Sequence, residues 1–234
     1  MLCLGVILDS LPPQCGDVPI TNWSWNDVDG EEQVAGTTWG EYHVVGTFDG
    51  ESFTVTEVGP PRRSPSEDNE DAIDTPCPEP DGGWQASDPD RVSDRDWERT
   101  AAAARKASDF AGVWIDHVAV TDPESGVERT GIILNVAFTG DLERHEAELR
   151  ETWGGPLCVV EHPRTLRELR GIQRELGDIA EEEFELQILW SSSSEVHGVV
   201  EIGVVTIDAE TRAALDERYG TGAVEAEPAL RPVP

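Results

Sequence analysis

Lysine is almost missing from this chain. Of its 17 basic residues only Lys106 is lysine, and they stand against 48 Asp and Glu for a formal charge of −31. A surface of that sign repels phosphate backbones and anionic lipid, so no nucleic acid and no anionic membrane is expected as a partner. Cationic proteins or divalent cations fit the charge better, and the plainest reading is a well-solvated surface.

Long apolar runs are missing too. No stretch reaches the roughly 18 residues of a membrane-spanning helix, so no transmembrane segment is expected. Met1–Leu8 (MLCLGVIL) is apolar but has neither a basic stretch before it nor a small-residue cleavage site after it, so it does not read as a signal peptide. Leu2-Cys3-Leu4-Gly5 places its cysteine too near the start for a lipobox. Two readings stand: a cytoplasmic chain as written, or the mature part of a longer precursor, extracellular or in the cell envelope.

The usual catalytic and metal motifs are lacking. No C-x2-C or H-x3-H spacing occurs, which argues against zinc. G-x-S-x-G is absent, so Ser191–Glu195 (SSSSE) reads as a turn or loop and not as a nucleophile elbow. Asp68, Glu70, Asp71 and Asp74 have the acidity of a calcium loop without its glycine and closing glutamate. Nothing singles out two carboxylates for glycoside hydrolysis. The histidines are scattered: His43, His117 on a strand, His145 on an exposed helix face, His162 at a strand end, and His197. None stands at nucleophile spacing from a Cys or Ser, so no catalytic residue, metal or cofactor is assigned.

What is present is a pattern. Asp96–Ala111 reads as an alanine-rich helix with Ser93 as N-cap and Gly112 as its stop. Val113–Val120 and Thr130–Phe138 read as strands joined by a DPESG turn, Leu142–Trp153 as a helix with Leu142, Leu149 and Trp153 on one stripe, and Leu157–Glu161 as a short buried strand. The order then returns. Thr165–Ala180 is amphipathic, Phe184–Ser191 and Val199–Ile207 are strands around a serine-rich loop, Glu210–Tyr219 is a helix capped by Asp208, and Ala223–Glu227 is a last strand. Leu149/Trp153-Gly154 and Leu215/Tyr219-Gly220 share an offset of 66 residues, which predicts a structural repeat.

Before these lies a β-rich segment. Trp39–Thr47 and Ser52–Val58 alternate around an Asp-Gly turn. With Leu2–Leu8 and Ile20–Trp25 they predict a small OB-like β-barrel over 1–58. Trp23, Trp25, Trp39 and Tyr42 would suit base stacking in such a barrel, but Asp27, Asp29, Glu31, Glu32 and Glu41 surround them, so core packing is the expected role. Gly59–Asp74 is a Pro-rich acidic linker. The expected organisation is therefore α+β: a β domain at 1–58, a linker at 59–92 anchored through Cys77 and Trp84, and α-β-β-α-β units at 93–162 and 163–234.

The four cysteines allow three connectivities. Cys3 and Cys15 bracket a short Pro-Pro loop. Cys77 lies where a loose segment needs an anchor, and Cys158 lies in a buried strand. Cys3–Cys15 and Cys77–Cys158 are the expected pairs.

FAGVWIDH, NVAFTGDLERHEAELR and TLRELRGIQREL together resemble the prodomain of secreted chymotrypsin-like bacterial proteases of the α-lytic protease and streptogrisin type, over about Trp97 to Pro228. The resemblance implies a tandem of α-β-β-α-β units and a habit of binding protein, with a secreted protease as the possible partner. It implies no hydrolysis, because the sequence contains no Gly-Asp-Ser-Gly and no His/Asp/Ser set. With LCLG…PPQCG and TTWGEYHVVGTFDGESFTV included, the whole chain also resembles exported proteins of actinobacteria, a likeness that carries no activity. A non-enzymatic exported protein that binds another protein is the expected function. An unrecognised hydrolase and a structural envelope spacer are the alternatives.

Overall fold

A computed structural model describes residues 1–5, 10–16, 18–62, 75–121 and 128–233. The DPESG turn, most of the linker and the four acids Asp68, Glu70, Asp71 and Asp74 lie outside them. The protein is α+β. Among the described residues it has four α-helices and four small sheets.

The N-terminal part does not close into a barrel. Strands β1 (Glu32–Val34) and β2 (Thr37–Trp39) form one two-stranded hairpin, and β3 (His43–Phe48) and β4 (Phe53–Gly59) form another. Two irregularities prevent closure. The predicted Trp39–Thr47 strand breaks at Gly40–Tyr42, and Trp25–Asp27 winds into a 3-10 turn instead of extending. Among the described residues Leu2 and Ile20 make only isolated bridges, to Val18 and Phe53, and residues 6–8 of the predicted Leu2–Leu8 strand lie outside them. The apolar residues of β3 and β4 pack elsewhere: Val18 and Phe53, with Val44 and Phe48, lie against Leu189, Val205 and Leu230. The expected core role of Trp23, Trp25 and Tyr42 is not what the fold uses them for; they pack on one another, partly exposed.

The rest comprises α1 (Asp94–Ala104), β5 (Phe110–Thr121), β6 (Glu128–Phe138), α2 (Leu142–Arg150), β7 (Leu157–Glu161), α3 (Leu166–Phe184), β8 (Ile188–Ser194), β9 (Val199–Val204), α4 (Ala209–Tyr219) and β10 (Val224–Pro228). One sheet has the order β5-β6-β7, the other β8-β9-β10. In each, the first pair is antiparallel and the second parallel. Registers correspond as well: Leu134 lies opposite Leu157, and Val200, 66 residues after Leu134, lies opposite Val224.

Each sheet buries one face under its helices. Leu134, Val136 and Phe138 meet Ala101, Ala104, Leu149 and Trp153. Val200, Ile202 and Val204 meet Leu169, Leu176, Ala180 and Leu215. Leu166, in the first turn of α3, belongs to the first of these cores and ties the second group of elements to it. Helix α3 starts at a capping box, with Glu168 N–H donating to Thr165 Oγ1 at 3.2 Å and Thr165 N–H donating to Glu168 Oε2 at 2.8 Å. Helix α1 stops seven residues before the predicted Ala111, at Ala104. Phe110 pairs with Phe138 in the sheet, and Asp109 O accepts from Thr139 N–H at 3.0 Å. Tertiary pairing thus overrides the local helix preference.

The structure brings together the two cysteine pairs expected from the sequence, with Cα–Cα distances of 5.4 Å for Cys3–Cys15 and 5.8 Å for Cys77–Cys158. Cys158 projects from the face of the first sheet away from its helices. There Thr75 N–H donates to Asp116 Oδ2 at 3.1 Å and Thr75 Oγ1 donates to Asn135 Oδ1 at 2.9 Å. The chain before α1 is thereby fixed across that sheet. A bridge spanning 81 residues removes unfolded-state freedom equivalent to about 4–5 kcal/mol. The double variant Cys77→Ala/Cys158→Ala is therefore expected to lose about 2–5 kcal/mol in urea unfolding relative to the oxidised parent. Reduction of that variant should cause no further loss attributable to this pair.

Candidate functional site

The histidines fall into separate environments. His145 does not lie on an exposed helix face. It is 2% exposed, stacked on Phe138 with centroids 3.6 Å apart, and its Nε2 donates to Asp109 Oδ2 at 2.7 Å. The spacing contained the signal, since His145 stands between Leu142 and Leu149 on the inward stripe. Burial opposes ionisation of Asp109, but the bonds from His145 and its own backbone amide, with the charges of His145 and Arg144, hold its carboxyl below the usual range. Among the described residues no Ser or Cys adjoins this pair in its hydrogen bonding, and it serves to lock α2 onto β6.

A second group forms where the β8–β9 turn reaches the first sheet. The four serines do not form the predicted loop; Ser191–Ser194 belong to β8, opposite Ile202–Val199. In the turn that follows, Val196 packs against Ala111, Trp114 and Ala137. Glu195 Oε2 accepts the Val113 N–H at 2.9 Å. That amide follows a bulge between Phe110 and Gly112, and Gly112 has no room for a side chain against Glu195. Gly198, at φ +68°, lies against the ring of His162, which stacks on Trp114 at 6.0 Å. Sequence reasoning missed Glu195, Val196 and Gly198; only the glycine carried a local signal.

Ser194, His197 and Glu201 meet in the same turn. His197 Nδ1 is 2.7 Å from Glu201 Oε1 and 3.3 Å from Ser194 Oγ. A nucleophile relay needs serine and carboxylate on opposite ring nitrogens. Here both address the same one, so the trio does not form such a relay. Among the described residues no three His, Cys, Asp or Glu side chains gather to hold a metal ion, and no helix is long and apolar enough to cross a membrane.

The two sheets differ most on the faces turned away from their helices. On the first, Asn135, Ala137 and Cys158 are buried beneath Thr75, Cys77 and Val196. On the second, the corresponding positions are Glu201, Gly203 and Glu225, followed by Glu227. Glu225 stands directly opposite Glu201, a like-charged pairing that disfavours the isolated sheet. The Trp190 indole covers Gly203, where any Cβ would strike the ring. Beside it a groove of about 1110 Å³ runs between this sheet and the β3–β4 hairpin, lined by His43, Phe48, Leu189, Trp190, Glu227 and Arg231 among others.

No known protein family matches this chain, and no curated protein is found to be similar to it.

His162 supplies a test of the seam. Burial, and secondarily the charge of His197, push its pKa below the ordinary histidine value. Its Nδ1 is buried and has no hydrogen-bond partner among the described residues. With the folded pKa depressed, the unfolded chain binds the proton more readily, so stability is full above the unfolded value of about 6.5 and falls as the pH drops through the folded value. Thermal unfolding between pH 7.5 and 5 should show this loss, and His162→Gln should flatten it. An unchanged slope in the variant would remove His162 as the cause.

Proposed function

We propose that this is an exported, non-catalytic protein that binds a cationic protein partner through the outer face of its second sheet. The observation that carries this reading is the contrast between two sheets of like topology. One is sealed on its outer face; the other keeps Trp190 and the acidic row Glu201, Glu225 and Glu227 beside a groove. Interfaces favour a large aromatic anchor with charged residues around it. Opposed carboxylates on neighbouring strands gain most from an incoming cation. Two cysteine pairs at disulfide distance support an oxidising compartment, outside the cell or in its envelope. The resemblance of residues 97–228 to protease prodomains supports a secreted chymotrypsin-like protease as the partner.

Association with such proteases of net positive charge is expected at low ionic strength. It should weaken at least about tenfold at about 0.5 M salt. Glu225→Gln/Glu227→Gln, at exposed positions, should lower both affinity and salt dependence, while Trp190→Ala should raise the dissociation rate. Neither binding nor inhibition at low salt would remove the protease as partner, and turnover of any substrate by the purified chain would overturn the non-catalytic reading.

A further inference from the structure

The N-terminal segment holds a second concave site, remote from the groove in its lining residues. Trp23, Trp25 and Tyr42 touch one another: Trp23 and Trp25 meet edge to face with centroids 5.4 Å apart, Trp23 and Tyr42 at 5.3 Å, and Trp25 and Tyr42 at 6.4 Å. The Tyr42 ring folds back on Gly40, whose missing side chain makes room for it. The Tyr42 hydroxyl donates to Asp29 O at 3.3 Å, which fixes the ring against the loop before β1. Through Tyr42 this cluster adjoins a cavity of about 710 Å³, which is lined by the aromatic residues Trp39 and Tyr42, by Pro60 and Pro61, and by Asp27, Asp29, Glu32 and Glu41; Trp23 and Trp25 stand behind Tyr42 and do not line it.

Three features define what the cavity suits. It is the size of a small organic ligand, far larger than a bare ion. Its carboxylates surround it without converging, and among the described residues no acidic cluster reaches metal-holding geometry; calcium needs six to eight oxygens brought to one point. And the segment has no cation of its own: Met1 to Pro61 contains no Lys or Arg, and the first basic residue, Arg62, follows the last lining residue. Aromatic rings attract weakly hydrated cations, and nearby carboxylates add long-range attraction without demanding inner-sphere contact. Burial, with the charges of Glu31 and Asp29, pushes the Tyr42 hydroxyl pKa up, so the ring remains a neutral phenol at physiological pH.

We infer that the cavity between Trp39, Tyr42 and the loop Asp27–Glu32 is a binding site for a quaternary or alkylated ammonium group. It is independent of the partner-binding face, since the two share no lining residue. The group can come from a free small molecule or from a methylated lysine on a polypeptide; the ring-and-carboxylate chemistry is the same.

The test is a titration of the intact, oxidised chain, followed by tryptophan fluorescence and calorimetry. The probes are tetramethylammonium, choline, the uncharged carbon isostere 3,3-dimethylbutanol, and a peptide carrying either trimethyllysine or lysine. Saturable binding of a methylated cation, at least about tenfold tighter than the isostere, is expected. Binding of free choline marks a small-molecule source; binding of the trimethyllysine peptide alone marks a polypeptide source, and either supports the site. Tyr42→Phe should retain binding, Tyr42→Leu should lose at least about tenfold, and Glu41→Gln should weaken binding and its salt dependence. Gly40→Ala, which displaces the ring without removing it, should also weaken binding. Equal binding of the isostere, absence of saturation by any cation up to about 10 mM, or affinities unchanged in Tyr42→Leu and Glu41→Gln would each overturn the assignment.

Discussion

The outer face of the first sheet is the surface the rest of the molecule is arranged to cover. Ile133 and Ala137 are fully buried there, and Trp114 nearly so. A three-stranded sheet with helices on one side leaves that apolar surface facing water unless something crosses it. Two segments distant in sequence do so. One is the stretch before α1, tied down by Cys77–Cys158 and by the bonds from Thr75 to Asp116 and Asn135. The other is the β8–β9 turn, with Val196 inserted and Glu195 bonded to the bulged strand. The second sheet cannot shift freely against the first without withdrawing that turn and exposing Trp114.

The charge balance follows from how the few arginines are used. Arg218 joins α4 to α3 by binding Glu175 and Glu183, each at 2.7 Å. Arg212 donates to Ala226 O at 3.0 Å, and Arg231 to Glu227 at 3.1 Å, on either side of β10. Arg91 holds the carbonyl of Glu151, and Arg150 that of Gly155. These cations go to carbonyls and carboxylates within the fold, where they satisfy chain ends and a sheet edge. The 48 acids far outnumber the 17 arginine and lysine residues, so the net field outside the protein is negative.

Much of the fold was legible because periodicity and pairing agreed. The Leu166–Leu169–Leu176 stripe with the Thr165/Glu168 capping box at its start fixes α3, and the β-branched Val199, Val200 and Ile202 fix a central strand. What misled was local pattern without tertiary support. The alanine run before Ser108 suggested a longer helix, but Phe110 was needed opposite Phe138. Alternation over Trp39–Thr47 suggested one strand of a barrel, but Gly40 bends there so that Tyr42 can join two tryptophans. The candidate sites were less legible still. The opposed Glu201 and Glu225, the indole over Gly203 and the Glu195–Val113 bond are cross-strand or long-range facts, and no spacing along the chain encodes them.

The comparison between the sheets also separates packing from recognition. Both use the same strand order and turn apolar residues inward, Leu134, Val136 and Phe138 in one and Val200, Ile202 and Val204 in the other, so inward chemistry is dictated by the helices in each case. The outward residues are under no such common demand. In the first sheet they are small, apolar or bonded, because they lie beneath other segments. In the second, Glu201 is bonded to His197 and Glu227 to Arg231, but Glu225 faces the Glu201 carboxylate across the ladder, a like-charged pairing that costs stability. The second sheet carries this cost on the face that its counterpart keeps covered, so packing against the helices does not by itself dictate the outer residues.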